Sequence, residues 1–218
     1  MKTNFLKFLT IVAIGAAVVS CKKKADEAAT TEAEEVATSE ATSTKYMVNT
    51  DESVIEWTGH KPTGQHNGTI NIESGVFTVN DGTLESGTFI VDMNSIVDLD
   101  MPADDPMNAK LVGHLKSADF FEVETYPSAA FEVTGFEMAN GKAMLSGNLT
   151  LKDTKNNVTF PVTTSQDGDT FTLSSEMFTI DRSKWNVKYG SKSFFDNLGD
   201  KFINDDIELK ITVKANKS

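Results

Sequence analysis

Residues 111–136 read LVGHLKSADFFEVETYPSAAFEVTGF. Alternating apolar and polar runs precede and follow this stretch, which has no strand period of its own until its end, so it divides a β-rich chain into two halves. Asp104 or Asp105 is placed to cap a short helix with Pro106 in its first turn, and Met107, Leu111 and Leu115 recur at four-residue spacing along one face. After Asp119 the pair Phe120 and Phe121 ends the helical period. Tyr126-Pro127 then forces an extended backbone that launches a strand near Ala129. Two readings of these aromatics stay open: they close one end of a hydrophobic core, or they line the mouth of a cavity.

Upstream, residues 53–60, SVIEWTGH, put Ile55 and Trp57 on one face and Glu56 and Thr58 on the other. After a turn rich in Pro62, Gly64, Asn67 and Gly68, Ile70 and Ile72 share a face. The phase then breaks around Ser74-Gly75, which a bulge explains. Asp81-Gly82 is a hairpin signal leading into a long run in which Ile90, Val91 and Met93 place apolar groups on both faces. Downstream, Phe131 and Val133 alternate with Glu132 and Thr134, Asn140-Gly141 turns the chain, and Leu145, Leu149 and Leu151 face one way. Val158, Phe160 and Val162 follow, with Pro161 demanding an edge, a bulge or an amide that points away from the ladder. Phe171 and Leu173, then Phe178 and Ile180, lead to the cleanest strand, in which Ile207, Leu209, Ile211 and Val213 alternate with polar residues. The predicted fold is all-β: an antiparallel barrel or sandwich of about eight strands with a short helical segment between its halves. At about eight strands the interior is either filled by side chains or just roomy enough for one small ligand.

The chain has 218 residues, a formal net charge of -12 and a pI near 4.7. Its basic residues are interspersed with acids, which argues against a nucleic-acid backbone as partner. Arg182 is the single arginine, so bidentate anion clamps are not available in numbers. One Cys excludes an internal disulfide and a cysteine-based zinc site. His60, His66 and His114 are the only histidines, and a metal site on them would need carboxylates from distant parts of the chain. No metal and no cofactor is therefore expected. Asp196, Asp200, Asp205 and Asp206 match no EF-hand spacing and read as a solvated loop. There is no nucleophile elbow, phosphate loop or dinucleotide fingerprint, and an enzyme is not expected.

Residues 1–20 read as a secretory signal, with Lys2 and Lys7 before an apolar run too short to span a bilayer. The run ends in Val18-Val19-Ser20-Cys21, which resembles the lipobox of bacterial lipoproteins, whose cysteine is lipidated and becomes the new N-terminus. That resemblance implies an acylated Cys21 and a membrane-anchored protein of the bacterial cell envelope, facing the periplasm or displayed at the cell surface. Loss of the leader removes Lys2, Lys7 and no acid, taking the charge from -12 to -14. Residues 21–44 are rich in Ala, Thr, Ser and Glu and are expected to form a disordered tether. The folded domain is expected at 45–217.

The body resembles the YceI-like, polyisoprenoid-binding family of lipocalin-like barrels. The resemblance rests on YMVNTDESVIEW (46–57), the stretch from Asn94 to Val133 with its His-Leu-Lys-Ser, Asp-Phe-Phe and Tyr-Pro elements, LSGNLTLKDTKNNVTFPVT (145–163), FTIDRSKWNVKYG (178–190) and DDIELKITVKA (205–215). The segment between Asp98 and Pro106 stands where many members have a shorter, more basic approach to the helix. The resemblance implies a barrel whose pore holds a long apolar chain such as an isoprenoid quinone, a polyprenyl lipid or a fatty amide. For the lining, the alternation selects Ile55, Trp57, Ile72, Ile90, Phe131, Val133, Leu149, Phe160, Phe171 and Leu209. The rival reading is an envelope lipoprotein with a solid barrel core that works through its surface.

Overall fold

Asp81 and Gly82 take positive φ of 49° and 79°, and Asn140 and Gly141 take 51° and 78°. Two successive left-handed residues are what a tight hairpin between right-twisted strands requires, and Asp-Gly and Asn-Gly supply them with little strain. The computed structural model describes residues 25–218, so the leader and Cys21 lie outside the described residues. In chain order the strands are β1 (Asp26–Glu27), β2 (Ala29–Glu32), β3 (Thr44–Val48), β4 (Val54–Lys61), β5 (Gly64–Asn80) and β6 (Thr83–Asp98). After helix α1 (Pro106–Lys116) come β7 (Ser128–Ala139), β8 (Lys142–Leu151), β9 (Thr154–Asp167), β10 (Thr170–Ser175), β11 (Phe178–Asp181) and β12 (Asp206–Lys217).

Strands β4 to β10 follow one another antiparallel round a ring, β12 joins β10, and β12 returns to pair with β4. Of the two antiparallel architectures that the alternation allows, this is the barrel, with eight strands in its ring. Strands β3 and β4 act as one stave, pairing successive parts of β5 and β12 on either side of the turn at Thr50–Glu52. Register shifts between β5 and β6 fall at Thr69/Asn71, Ile72/Ser74 and Thr78/Val79, the second being the bulge implied by the broken phase at Ser74.

At one end the bore is solid. Tyr46, Phe77, Phe89 and Phe171 are buried in mutual contact, with neighbouring ring centroids 5.4–5.9 Å apart. At the other end α1 lies across the barrel. Asp105 caps it by accepting from the Met107 amide at 2.8 Å, and Pro106 occupies its first turn. The expected apolar stripe is corrected at Met107, which is exposed. Asn108 turns inward in its place, its amide donating to the Asp98 and Met101 carbonyls at 3.2 and 3.0 Å.

The expected tether is also corrected. Residues 26–37 lie along the outside of the barrel. The first half of β9 and the edge of β11 have no ring neighbour between them, and β1 and β2 fill that seam: β1 runs parallel to β11, while β2 runs antiparallel to residues 156–159. Ala28 is buried in the seam and donates to the Thr179 carbonyl at 2.8 Å. Pro161 stands where β9 changes neighbour from β2 to β10, so its missing N–H breaks no ladder with either. Beyond β2, the buried Asn148 side chain pairs with both sides of Glu34, accepting from its N–H at 2.9 Å and donating to its carbonyl at 2.8 Å. Ala37 N–H reaches the Val133 carbonyl at 2.9 Å. Backbone pairing of this kind needs no hydrophobic period, which is why composition alone points to disorder.

Replacing Asn148 by Ala removes both bonds to Glu34 and leaves the belt's backbone to water. It is expected to cost about 1–3 kcal/mol in denaturant unfolding and to speed amide hydrogen exchange at Ala28, Glu34 and Ala37, with the ring strands keeping their protection.

Candidate functional site

Away from the aromatic plug the bore is hollow. An outer cavity of about 290 Å³ lies beneath α1, and an inner one of about 100 Å³ lies deeper, lined by aliphatic and phenylalanine side chains. Ile55, Val91, Leu149, Ile180 and Leu209 wall both, so the two are neighbouring compartments of one apolar space. Its blind end is the plug and its mouth is under the helix.

Of the residues selected by alternation, Ile55, Trp57, Leu149 and Leu209 line the outer cavity, and Ile72, Phe131 and Phe160 line the inner one. Three are corrected. Ile90 falls out of phase: Phe89 and Val91 are buried and face the lumen, so Ile90 between them points the other way. Val133 is fully buried and Phe171 nearly so, yet neither borders the hollow, and Phe171 belongs to the plug. Phe131 keeps its place because β8 carries Gly147 diagonally across from it, opposite Val133: a Cβ there would stand 2.2 Å from the ring.

The mouth is built by the stretch that divides the sequence. Leu111 and Leu115 of α1, with Phe120 and Phe121, roof the outer cavity, so the reading in which these aromatics line a mouth is the one realised. All three histidines of the chain also converge there, which alternation gave no means of finding. Each faces a carboxylate: His60 Nε2 lies 3.2 Å from Glu208 Oε1, His66 Nδ1 3.1 Å from Asp100 Oδ2, and His114 Nε2 3.5 Å from Asp119 Oδ2. His114 also packs edge-on against Tyr189, with centroids 4.5 Å apart. Trp57 adds a polar group to an otherwise oily wall, since its indole Nε1 is buried without a hydrogen-bond partner.

Arg182 holds the far side of the mouth. Its fully buried guanidinium donates to the carbonyls of Asn204, Val187 and Ile203 at 3.1, 2.6 and 3.1 Å and lies 3.3 Å from Asp205 Oδ1. It also stacks over Phe120 at 5.2 Å. Burial lowers its pKa, and the charges of Asp205 and Asp181 work to keep the proton on. The single arginine, directly after β11, thus gathers Val187 and residues 203–205 around itself. Asp205 is correspondingly engaged, its Oδ2 accepting from Ser191 and Ser193 at 2.9 and 2.6 Å.

A closed antiparallel barrel with an apolar hollow reached from one polar-rimmed end belongs among binding folds of the lipocalin type. Residues 46–215 match the YceI-like domain, and the chain belongs to that family. Two of the solved structures similar to this chain illustrate the fold. Burkholderia cenocepacia BcnA is 23% identical, with a TM-score of 0.58, covering 78% of this chain and 99% of its own. A polyisoprenoid binding domain from Saccharophagus degradans, implicated in plant cell wall breakdown, is 12% identical, with a TM-score of 0.56, covering 79% and 98%. No curated protein sequence matches the chain.

Replacing Arg182 by Ala would strip donors from three carbonyls, that of Val187 buried, and leave Asp205 without its cation. An expected loss of about 3–5 kcal/mol should appear in urea unfolding, together with raised proteolytic sensitivity between residues 186 and 204.

Proposed function

We propose that this protein binds a long-chain apolar molecule inside its barrel, without catalysis, and carries or stores it at a bacterial membrane. The observation that carries the reading is the hollow itself: an apolar space blocked at one end by aromatic rings and edged at the other by polar side chains. A 150 Å³ apolar cavity is enough to take benzene, and the outer cavity alone is about twice that, so it accepts on the order of ten chain carbons. Burying about ten methylenes at about 0.8 kcal/mol each is worth on the order of 8 kcal/mol, a micromolar dissociation constant before ordering costs. An isoprenoid quinone, a polyprenyl lipid or a fatty amide fits this pattern, with the chain inside and an acceptor oxygen near the Trp57 N–H and the mouth histidines. The match to the YceI-like family and the likeness to the Saccharophagus degradans polyisoprenoid binding domain support that class of ligand. An acylated Cys21 would place the membrane four residues before Ala25. With the belt fixed to the barrel, the leash is about 13 Å at full extension rather than the length of the whole polar segment.

Organic extraction of the purified protein followed by mass spectrometry is expected to release a long-chain lipid in near-stoichiometric amount. Delipidated protein should take up an added quinone or prenyl lipid, and Leu149→Phe, which narrows the passage between the two compartments, should weaken uptake at least about tenfold without loss of fold. An empty extract with no uptake would favour the surface-acting reading instead.

A further inference from the structure

We propose that His66, Asp98 and Asp100 form a binding site for a divalent transition-metal ion at the mouth of the barrel. His66 stands on β5, Asp98 ends β6, and Asp100 follows in the loop that leads to α1. One ligand atom from each lies within 4.8 Å of the others. His66 Nδ1 is 3.1 Å from Asp100 Oδ2 and 3.9 Å from Asp98 Oδ1. Ligand atoms held about 2.1 Å from a tetrahedral ion stand about 3.4 Å apart, so both His66 distances lie within about half an ångström of that spacing.

The second observation is the state of Asp98. Its side chain is fully buried, and Oδ1 has no hydrogen-bond partner. Its other oxygen is satisfied by the Met101 amide at 3.1 Å and the Asn108 amide at 3.3 Å. Those two donors, together with the Asn108 bonds to the Asp98 and Met101 carbonyls, hold the carboxyl plane with Oδ1 turned towards His66. Asp100 is aimed the same way, because its Oδ1 accepts from the Asn67 amide at 2.8 Å. A buried carboxylate oxygen with no donor, facing a second carboxylate and an imidazole, is unfavourable unless a cation or a proton lies between them. Burial, and then the neighbouring Asp100, push Asp98 above the usual carboxyl range. Against its own burial, Asp100 is held below that range by Asp98, the Asn67 amide and His66.

One imidazole and two carboxylates suit zinc, manganese or iron(II), and the imidazole disfavours calcium. Three protein ligands leave a coordination position open, and His66 also borders the outer cavity, so that position is near the lumen. Both acids come from the segment that begins at Asp98 and leads to α1. The site does not depend on the lipid reading and can be tested with the cavity empty.

Full-length protein stripped with a chelator should bind one zinc ion in a titration against a chromophoric competitor, raise its unfolding temperature with zinc, and give a visible Co(II) absorption band. Asp98→Asn keeps the acceptor facing Met101 and places an amide against Asp100, so it should fold as well without metal while losing at least about a hundredfold in zinc affinity and the Co(II) band. His66→Gln and Asp100→Asn, both at partly exposed positions, should weaken binding as well, and they carry the test if the Asp98 variant fails to fold. A wild-type protein that takes up no zinc or manganese at 0.1 mM (about 5.5 kcal/mol), or variants that bind as the wild type does, would overturn the site and leave a proton shared between Asp98 and Asp100 as the explanation.

Discussion

The pairing of β4 with β12 is the constraint on which the rest depends. Residues 54–59 run antiparallel to residues 207–212, with Ile55 opposite Ile211 and Trp57 opposite Leu209, and this ladder turns a long antiparallel sheet into a ring. Closure removes the open edges that an extended sheet would expose. With eight staves it also sets the bore, which at this number is just wide enough for side chains to fill or for one slender guest to enter. Every later question about this protein concerns how that narrow space is divided.

The division is made by side-chain size. Aromatic rings crowd the end where Tyr46, Phe77, Phe89 and Phe171 meet, and four rings across one small bore leave no room. Towards the other end the inward positions are mostly aliphatic, and Ile55, Val91, Leu149, Ile180 and Leu209 reach only partway across. Gly147 belongs to the same scheme, since its missing side chain is the space in which the Phe131 ring rests. The hollow is thus a consequence of which stave carries a ring at which level.

Polar structure is concentrated where the bore opens. Arg182 converts a long excursion between β11 and β12 into a fixed wall by gathering three carbonyls and one carboxylate. The belt at residues 26–37 does comparable work on the outside, completing a wall that β9 and β11 leave unjoined. Both devices use backbone groups as partners, and the excursion adds Trp185 and Val187 to the core.

Much of this could be read from the residues in order. The paired turns at Asp81-Gly82 and Asn140-Gly141, the Asp105-Pro106 helix start and the alternation of Ile207, Leu209, Ile211 and Val213 are local features, set by backbone sterics and by the period of a strand or a helix. They determine the all-β class, the number of staves and the central helix, and seven of the ten inward positions chosen by alternation do border the hollow. Ile90 was misplaced because an unbroken apolar run has no phase, and only the register of β6 against its neighbours selects Phe89 and Val91. The remaining features join residues far apart in the chain: three histidines at one rim, Asp98 beside His66, Asn148 against Glu34. Ring closure brings such pairs together, and no short-range pattern encodes it, so the tertiary structure alone decided where the barrel is filled, where it is empty and what guards its entrance.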